Sequence, residues 1–164
     1  MTRTPAGQLA LLWVVAACGG REPRPLVVGE DACDYCRMAI TDTRFGGELT
    51  LRTGRHRPFD SIECLAAYVV GGSDSTRVLG VFVSDYETQT LIDATTAVYV
   101  RGGAVRSPMG RGLSAFARRS DPAALVAKYG GQSLDWTGVL QQAASERVTP
   151  SPPAPPAKPG PPNP

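Results

Sequence analysis

The two ends of this chain limit how much of it can fold. Residues 149–164 (TPSPPAPPAKPGPPNP) are dominated by proline. Because proline lacks a backbone N–H and fixes φ, this stretch cannot lie inside a helix or a sheet. We therefore expect a disordered, extended tail over residues 146–164. Once the N-terminal segment described next is also removed, about 120 residues remain, which suits one compact domain or two small ones.

The N-terminus predicts export and a lipid anchor. Arg3 precedes a short apolar run at residues 9–17 (LALLWVVAA), and this run is too short for a permanent membrane span, which needs about 20 residues. It ends directly before Cys18, and a small-residue pair before a cysteine resembles the bacterial lipobox, in which that cysteine is acylated. We assign residues 1–17 to a lipoprotein signal peptide and 18–25 to a tether. The alternative is an ordinary secretory signal followed by an incidental cysteine.

The predicted location follows from this signal. Several acyl chains on one cysteine suffice for stable anchoring without a span. We expect an exported, membrane-anchored lipoprotein that faces the periplasm or the cell surface, and the sequence does not distinguish an inner from an outer membrane.

Composition removes several classes of function. The formal net charge is +2 and 20% of the residues are charged, which gives no sign of nucleic-acid binding. The sequence holds no Ser-His-Asp set, no phosphate loop and no pair of carboxylates in a convincing setting. A hydrolase or a transferase therefore has little support.

The hydrophobic pattern predicts an α+β fold of two similar β-β-α-β units, over residues 26–77 and 78–145. The alternative is a set of unrelated units within one α+β domain. In the first unit we expect a hairpin of strands at 46–52 and 56–60, followed by a helix at 61–70 that Asp60 or Ser61 caps. In the second part we expect strands at 78–84, 88–93, 97–100, 104–106 and 132–135 and helices at 113–119, 123–129 and 136–145.

The chemistry of the chain concentrates in residues 33–38 (CDYCRM). Two thiols and a thioether lie within this segment, and such soft ligands select Cu(I) over harder divalent ions. A Cys-x-x-Cys pair alone is ambiguous between zinc, disulfide exchange and a structural bridge. Met38, with no pair of histidines nearby, favours a cuprous site in which Cys36 and Met38 point the same way from an extended segment.

These residues and three other motifs resemble the NosL family of nitrous oxide reductase accessory lipoproteins. The matching motifs are the lipobox, CxYCxMxI at residues 33–40, FDSIEC at 59–64 and SPMG at 107–110 leading into LSAF at 113–116. They occur in the family's order and cover most of the chain from Cys33 to Gly131. The family usually has glycine where this chain has Arg37, which places a bulky cation beside the site.

The resemblance implies a Cu(I)-binding chaperone that delivers copper to the catalytic copper–sulfur centre of nitrous oxide reductase. It implies no catalytic activity of its own, and it implies a fold of two similar β-β-α-β units. NosL-like proteins also occur apart from that reductase, so the recipient is less constrained than the metal.

Each candidate ligand has a structural alternative. Met38 and Met109 are either ligands or packing residues, and Met109 in its loop can close the site from the second unit. Cys33 is either a third thiolate or the disulfide partner of Cys64. Cys64 lies near a helix N-terminus, where the helix dipole can lower the pKa of a thiol. His56, in a basic turn, is more often solvated than a ligand.

Two other functions stay open at this level. Cys33 and Cys36 could form the redox pair of a thiol oxidoreductase, although a polar, glycine-rich segment follows them instead of a long helix. Cys33, Cys36 and Cys64 could also hold a structural zinc ion in a surface lipoprotein.

Overall fold

A computed structural model describes residues 21–148 of the chain. The predicted signal peptide, Cys18 and residues 149–164 of the predicted tail lie outside these described residues. The elements are β1 (Gly47–Leu51), β2 (His56–Phe59), α1 (Ile62–Gly71), β3 (Val78–Ser84), β4 (Leu91–Asp93), β5 (Val98–Arg101), β6 (Leu113–Phe116), α2 (Pro122–Tyr129), β7 (Gln132–Leu134) and α3 (Trp136–Val148).

The first sheet has the strand order β2-β1-β3-β4 and is antiparallel throughout. The hairpin of β1 and β2 and the helix that follows agree with the pattern in the sequence. Ser61 caps α1, because its hydroxyl accepts a hydrogen bond from the Cys64 amide at 3.2 Å. The helix ends at Gly72, which adopts φ 71° in the left-handed region that favours glycine.

The second sheet has the strand order β6-β5-β7 and corrects two predictions. Residues 113–119 were expected to be helical, but Leu113–Phe116 is a fully buried strand paired with β5. A short apolar run does not reveal by its periodicity whether it is helix or strand. Residues 104–106, expected as the return strand, belong instead to a long loop between β5 and β6.

Both sheets use the same order of elements. In each, two strands, a helix and a third strand follow one another, and the first strand lies between the other two. The strand β3 pairs with β1 and therefore completes the first of these units. This pairing corrects the predicted unit boundary at residue 78, which assigned β3 to the second unit; the first sheet continues to Asp93 and the second begins at Val98.

One hydrophobic core joins the two sheets. It contains Leu65 from α1, Leu49 from β1, Tyr99 from β5 and Trp136 from α3 among its buried residues. A smaller cluster under α2 is built on Val100, Phe116 and Leu125. The two units therefore share their interior and form a single packed body.

Both ends of the domain extend further than the sequence pattern indicates. Arg21 pairs with Asp93 at 2.7 Å, and the Arg24 amide donates to the buried Glu48 carboxylate at 3.0 Å. Residues 21–25 of the predicted tether thus lie against the first sheet. At the other end α3 continues to Val148, so residues 146–148 of the predicted tail are helical. Within residues 21–148, no helix is both long and apolar enough to cross a membrane.

Candidate metal centre

Residues 33–38 form a tight turn and are not the extended segment that we predicted. An isolated bridge between Ala32 and Ala39 closes its base. Inside it the Cys33 amide donates to the Met38 carbonyl at 2.8 Å, and the Arg37 amide donates to the Cys33 carbonyl at 2.9 Å. Arg37 adopts φ 68° to allow this reversal. The alternation that places side chains two apart on one side therefore does not apply to Cys36 and Met38.

The turn is held against the end of the first sheet. The Asp34 amide donates to the Pro58 carbonyl at 2.9 Å, and the Arg57 side chain reaches the Asp34 carboxylate at 2.7 Å. Since β2 ends at Phe59 and α1 begins at Ile62, the connection between them presents Asp60 to the turn, and the first turn of α1 presents Cys64.

Four ligand atoms meet at this junction. One atom each from Cys33, Cys36, Asp60 and Cys64 lies within 4.8 Å of the others. Cys33, Asp60 and Cys64 are buried, whereas Cys36 is partly exposed. Three sulfurs and one carboxylate oxygen at such a separation can converge on a single metal ion.

The electrostatics of the three thiols are unequal. A hydrogen bond from the Cys64 thiol lowers the pKa of Cys33 to about 6, and it outweighs the opposing effect of burial. Backbone hydrogen bonds from Cys36, Asp60 and Tyr35 lower it further. Burial raises the pKa of Cys36. Cys33 is therefore the thiol of the cluster that loses its proton most readily, and a thiolate is the form that binds metal.

Cys64 behaves opposite to the prediction. Its position in the first turn of α1 suggested a lowered pKa, but its hydrogen bond to Cys33 and its burial raise the pKa instead. In the structure the thiol with the lowered pKa is therefore Cys33 and not Cys64. The three cysteines among the described residues are all free thiols, so Cys33 and Cys64 form no disulfide here.

Asp60 is the member of the cluster that sequence reasoning did not count as a ligand. Its side chain is only 3% exposed, and its Oδ1 atom has no hydrogen-bond partner among the described residues. A buried carboxylate oxygen without a partner is costly unless something else satisfies it. A bound cation would do so, and the donor set therefore fits a metal. In the sequence, the one indication that Asp60 joins the site is its position beside the helix cap and four residues before Cys64.

The two methionines occupy different surroundings. Met109 is 39% exposed and lines a cleft of about 330 Å³ together with Tyr35 and Cys64. The structure thus places Met109, from the loop of the second unit, on the same cleft as a cysteine of the cluster. Met38 is 50% exposed and is not among the residues that line this cleft.

The loop that carries Met109 is tied to α1. Ser107 donates its hydroxyl proton to the Glu63 carboxylate and accepts a hydrogen bond from the Gly112 amide at 2.9 Å. Glu63 follows the N-cap of α1 and precedes Cys64. This link fixes the loop of the second unit to the helix that presents Cys64.

His56 lies outside the cluster. Its Nδ1 atom is 2.8 Å from the carboxylate of Glu48, a residue with no exposed surface. The only histidine of the chain therefore has a structural partner, and it does not join the four clustered ligands.

The chain is similar to known proteins of one family. A sequence model of the NosL family matches residues 26–144. The copper-binding lipoprotein NosL of Stutzerimonas stutzeri is 42% identical over 130 residues, covering 70% of this chain and 67% of the relative. The crystal structure of the copper chaperone NosL from Shewanella denitrificans matches with a TM-score of 0.64 at 23% identity, covering 75% of this chain and 98% of that one. This structural match shows a shared fold, and both relatives are named for copper rather than for catalysis.

Proposed function

Because the chain belongs to the NosL family, we propose that it is an exported lipoprotein that binds Cu(I) and passes it to a copper-receiving protein. We propose apo-nitrous oxide reductase as that recipient. The proposal includes acylation of Cys18 and a domain that faces the periplasm or the cell surface.

The cluster of Cys33, Cys36, Cys64 and Asp60 carries the proposal. Its ligand atoms lie within 4.8 Å of one another, and the unpartnered Oδ1 of Asp60 leaves room for a cation in the hydrogen-bond network. Sulfur donors favour the cuprous ion over harder metals. Because the pKa of Cys33 is lowered, its proton is the easiest of the three thiol protons to displace when a metal enters.

We propose that Cys36 is the central ligand. It is the cysteine of the cluster with residual exposure, and it lies two residues before Met38. Met109, on the cleft that reaches Cys64, supplies a thioether from the second unit. Cys33 and Cys64 supply the remaining sulfurs, with Asp60 as an oxygen neighbour.

Competition with a chromophoric Cu(I) chelator tests the proposed site. We expect the Cys36→Ala, Met38→Ala double variant to lose at least about 100-fold in Cu(I) affinity, since even an outer-shell change costs about 10–100-fold. His56→Gln is the matched control and should bind as the unsubstituted protein does. Equal affinity of the double variant and the unsubstituted protein would refute the site.

A structural zinc ion is the second candidate, because three sulfurs and one oxygen also form an acceptable tetrahedral set. Elemental analysis after expression with both metals separates the two. Zinc that is retained through purification, with unfolding upon chelation, would favour the zinc reading. A thiol oxidoreductase, suggested by the lowered pKa of Cys33, predicts activity in an insulin-reduction assay.

The recipient needs its own experiment. Copper-loaded protein mixed with apo-nitrous oxide reductase should transfer its copper to the reductase, measured as the copper that elutes with the reductase after the two proteins are separated. An unrelated apo-copper protein is the control. If both acceptors are filled equally, the protein is a general copper donor and the proposed recipient is wrong.

A further inference from the structure

Three exposed arginines gather at one end of the first sheet. Arg52 and Arg55 flank the β1–β2 turn, and Arg77 directly precedes β3. The Arg52 amide donates to the Arg77 carbonyl at 2.8 Å, and the Leu51 amide donates to the Arg55 carbonyl at 2.9 Å. Their backbones are therefore adjacent, and we call these three residues the arginine patch.

The patch has little local compensation. Between residues 21 and 148, none of its three side chains forms an ion pair, although ten ion pairs occur elsewhere in that range. The nearby Asp74 carboxylate is nearly buried and already lies 2.7 Å from Arg57. Three exposed cations without an ion pair, at one edge of a domain whose chain has a formal net charge of only +2, make this surface locally positive.

The N-terminal segment leads toward the same end of the sheet. The Arg24 amide contacts Glu48, which pairs with Phe82 in the sheet. Three residues earlier, Arg21 approaches Gly80, which pairs with Thr50. Read from Arg24 back to Arg21, the chain thus moves along β1 and β3 toward the arginine patch.

We propose that the arginine patch docks on anionic phospholipid headgroups of the membrane that anchors the protein. The inference rests on the lipid anchor at Cys18 proposed above. Cys18 precedes Arg21 by three residues, a reach of at most about 11 Å, so the bilayer surface lies close to this end of the sheet. A lipid chain and a basic patch together are sufficient for stable binding to a membrane in one orientation.

The docked orientation has a consequence for the metal cluster. Gly47, at the opposite end of β1, pairs with Phe59, the residue before Asp60. From Arg55 to Asp60 the chain extends for about 17 Å, at roughly 3.3 Å per strand residue. With the patch on the headgroups, the cysteine cluster points away from the bilayer, where a soluble recipient can approach.

Arginine footprinting on vesicles tests the contact directly. The lipidated protein is reconstituted on phosphatidylcholine vesicles, with or without an equal part of phosphatidylglycerol, and is modified with phenylglyoxal before mass spectrometry. We expect several-fold less modification of Arg52, Arg55 and Arg77 on the anionic vesicles, and loss of this protection at high salt. The exposed Arg106, Arg118 and Arg119 serve as internal controls and should react equally on both.

A second arm does not depend on the anchor. In the full chain carrying Cys18→Ser, the gain in vesicle binding from phosphatidylglycerol is compared between charge-reversal variants. Arg52→Glu, Arg55→Glu, Arg77→Glu should reduce that gain by on the order of 100-fold, from roughly fivefold per arginine. The matched triple Arg106→Glu, Arg118→Glu, Arg119→Glu should keep most of it.

The two failures are distinguishable. If the unsubstituted protein does not float with neutral vesicles, the proposed lipid anchor is wrong, while the second arm still tests the patch. If it floats with them but all six arginines react alike on both vesicles and both triple variants bind alike, membrane docking is overturned. The arginine patch would then be assigned to the binding of an acidic protein partner.

Discussion

Arg37 is one of two non-glycine residues with a positive φ among residues 21–148. Its φ of 68° lies in the left-handed region, which penalises a side chain with a Cβ atom and favours glycine, the residue that the resemblance implies at this position. The side chain of Arg37 recovers little, since its ion pair with Asp34 spans 3.4 Å and the arginine side chain is 77% exposed. The turn is thus held in place by its bridge and hydrogen bonds despite a local cost.

Replacement of Arg37 by glycine should stabilise the metal-free protein. We expect the free energy of unfolding to rise by about 1 kcal/mol, because the left-handed backbone no longer carries a Cβ atom. Chemical denaturation measures this change. The Arg37→Ala variant is the control and should show no such gain, since it removes the guanidinium but keeps the Cβ. Equal stability of the glycine and alanine variants would contradict the argument.

At the scale of elements, the loop after β5 determines how the second unit closes. Gly103 adopts φ 70°, and a Cβ atom on it would overlap the Tyr129 carbonyl at the end of α2. The Ala104 amide donates to that same carbonyl at 2.9 Å. The close approach of two backbones requires glycine at this position.

A pair of alanine variants separates conformation from crowding in this loop. Gly103→Ala should destabilise the protein by about 2 kcal/mol more than Gly110→Ala, measured by thermal or chemical unfolding. Gly110 also has a positive φ, 77°, but nothing lies within 4 Å of its added Cβ. The Gly110→Ala variant should therefore lose only about 1 kcal/mol in the free energy of unfolding. Equal losses in the two variants would show that crowding against Tyr129 has no effect.

Local signals in the sequence predicted some elements and not others. The cap at Ser61 and the turn glycines predicted α1 and the first hairpin because those residues act on their own neighbours. Leu113–Phe116 was mistaken for a helix because its strand pairing with β5 is a long-range interaction. The turn at residues 33–38 was missed for the same reason: a bridge and the end of β2 impose it, and Arg37 gives no glycine signal.

The sequence likewise predicted some residues of the candidate site and not others. Its three sulfurs could be named from the motifs, since cysteine is rare and its chemistry is specific. Asp60 could not, because an aspartate beside a helix cap is ordinary until its burial and its missing hydrogen-bond partner are known. The activation of Cys33 over Cys64 depends on a hydrogen bond between residues far apart in the sequence, which no local pattern reveals.

At the scale of the whole molecule, a common core predicts common unfolding. Leu65 of α1 has no exposed surface and belongs to the same cluster as Tyr99 and Trp136 of the second unit. The rings of Tyr99 and Trp136 pack with centroids 5.8 Å apart. Damage to the first unit should therefore be transmitted to the second.

The Leu65→Ala variant tests this coupling. We expect a loss of about 3 kcal/mol in the free energy of unfolding, from the lost burial and the cavity. The fluorescence of Trp136 and the circular dichroism of the whole chain should shift together, as one cooperative transition requires. Val28→Ala, at a residue 54% exposed, should change stability by less than about 0.5 kcal/mol. Separate transitions for the two probes would show that the units unfold independently.

The unequal burial of the three sulfurs determines the side from which a partner can reach the site. Cys33 and Cys64 have 0% and 1% exposure, whereas Cys36 is partly exposed. With the proposed copper ion bound, an acceptor would meet the Cys36 side first and would exchange that ligand before the enclosed ones. Under the proposed function, release would then be a stepwise ligand exchange driven by the partner, and spontaneous dissociation would require Cys33 and Cys64 to release the ion without a replacement ligand.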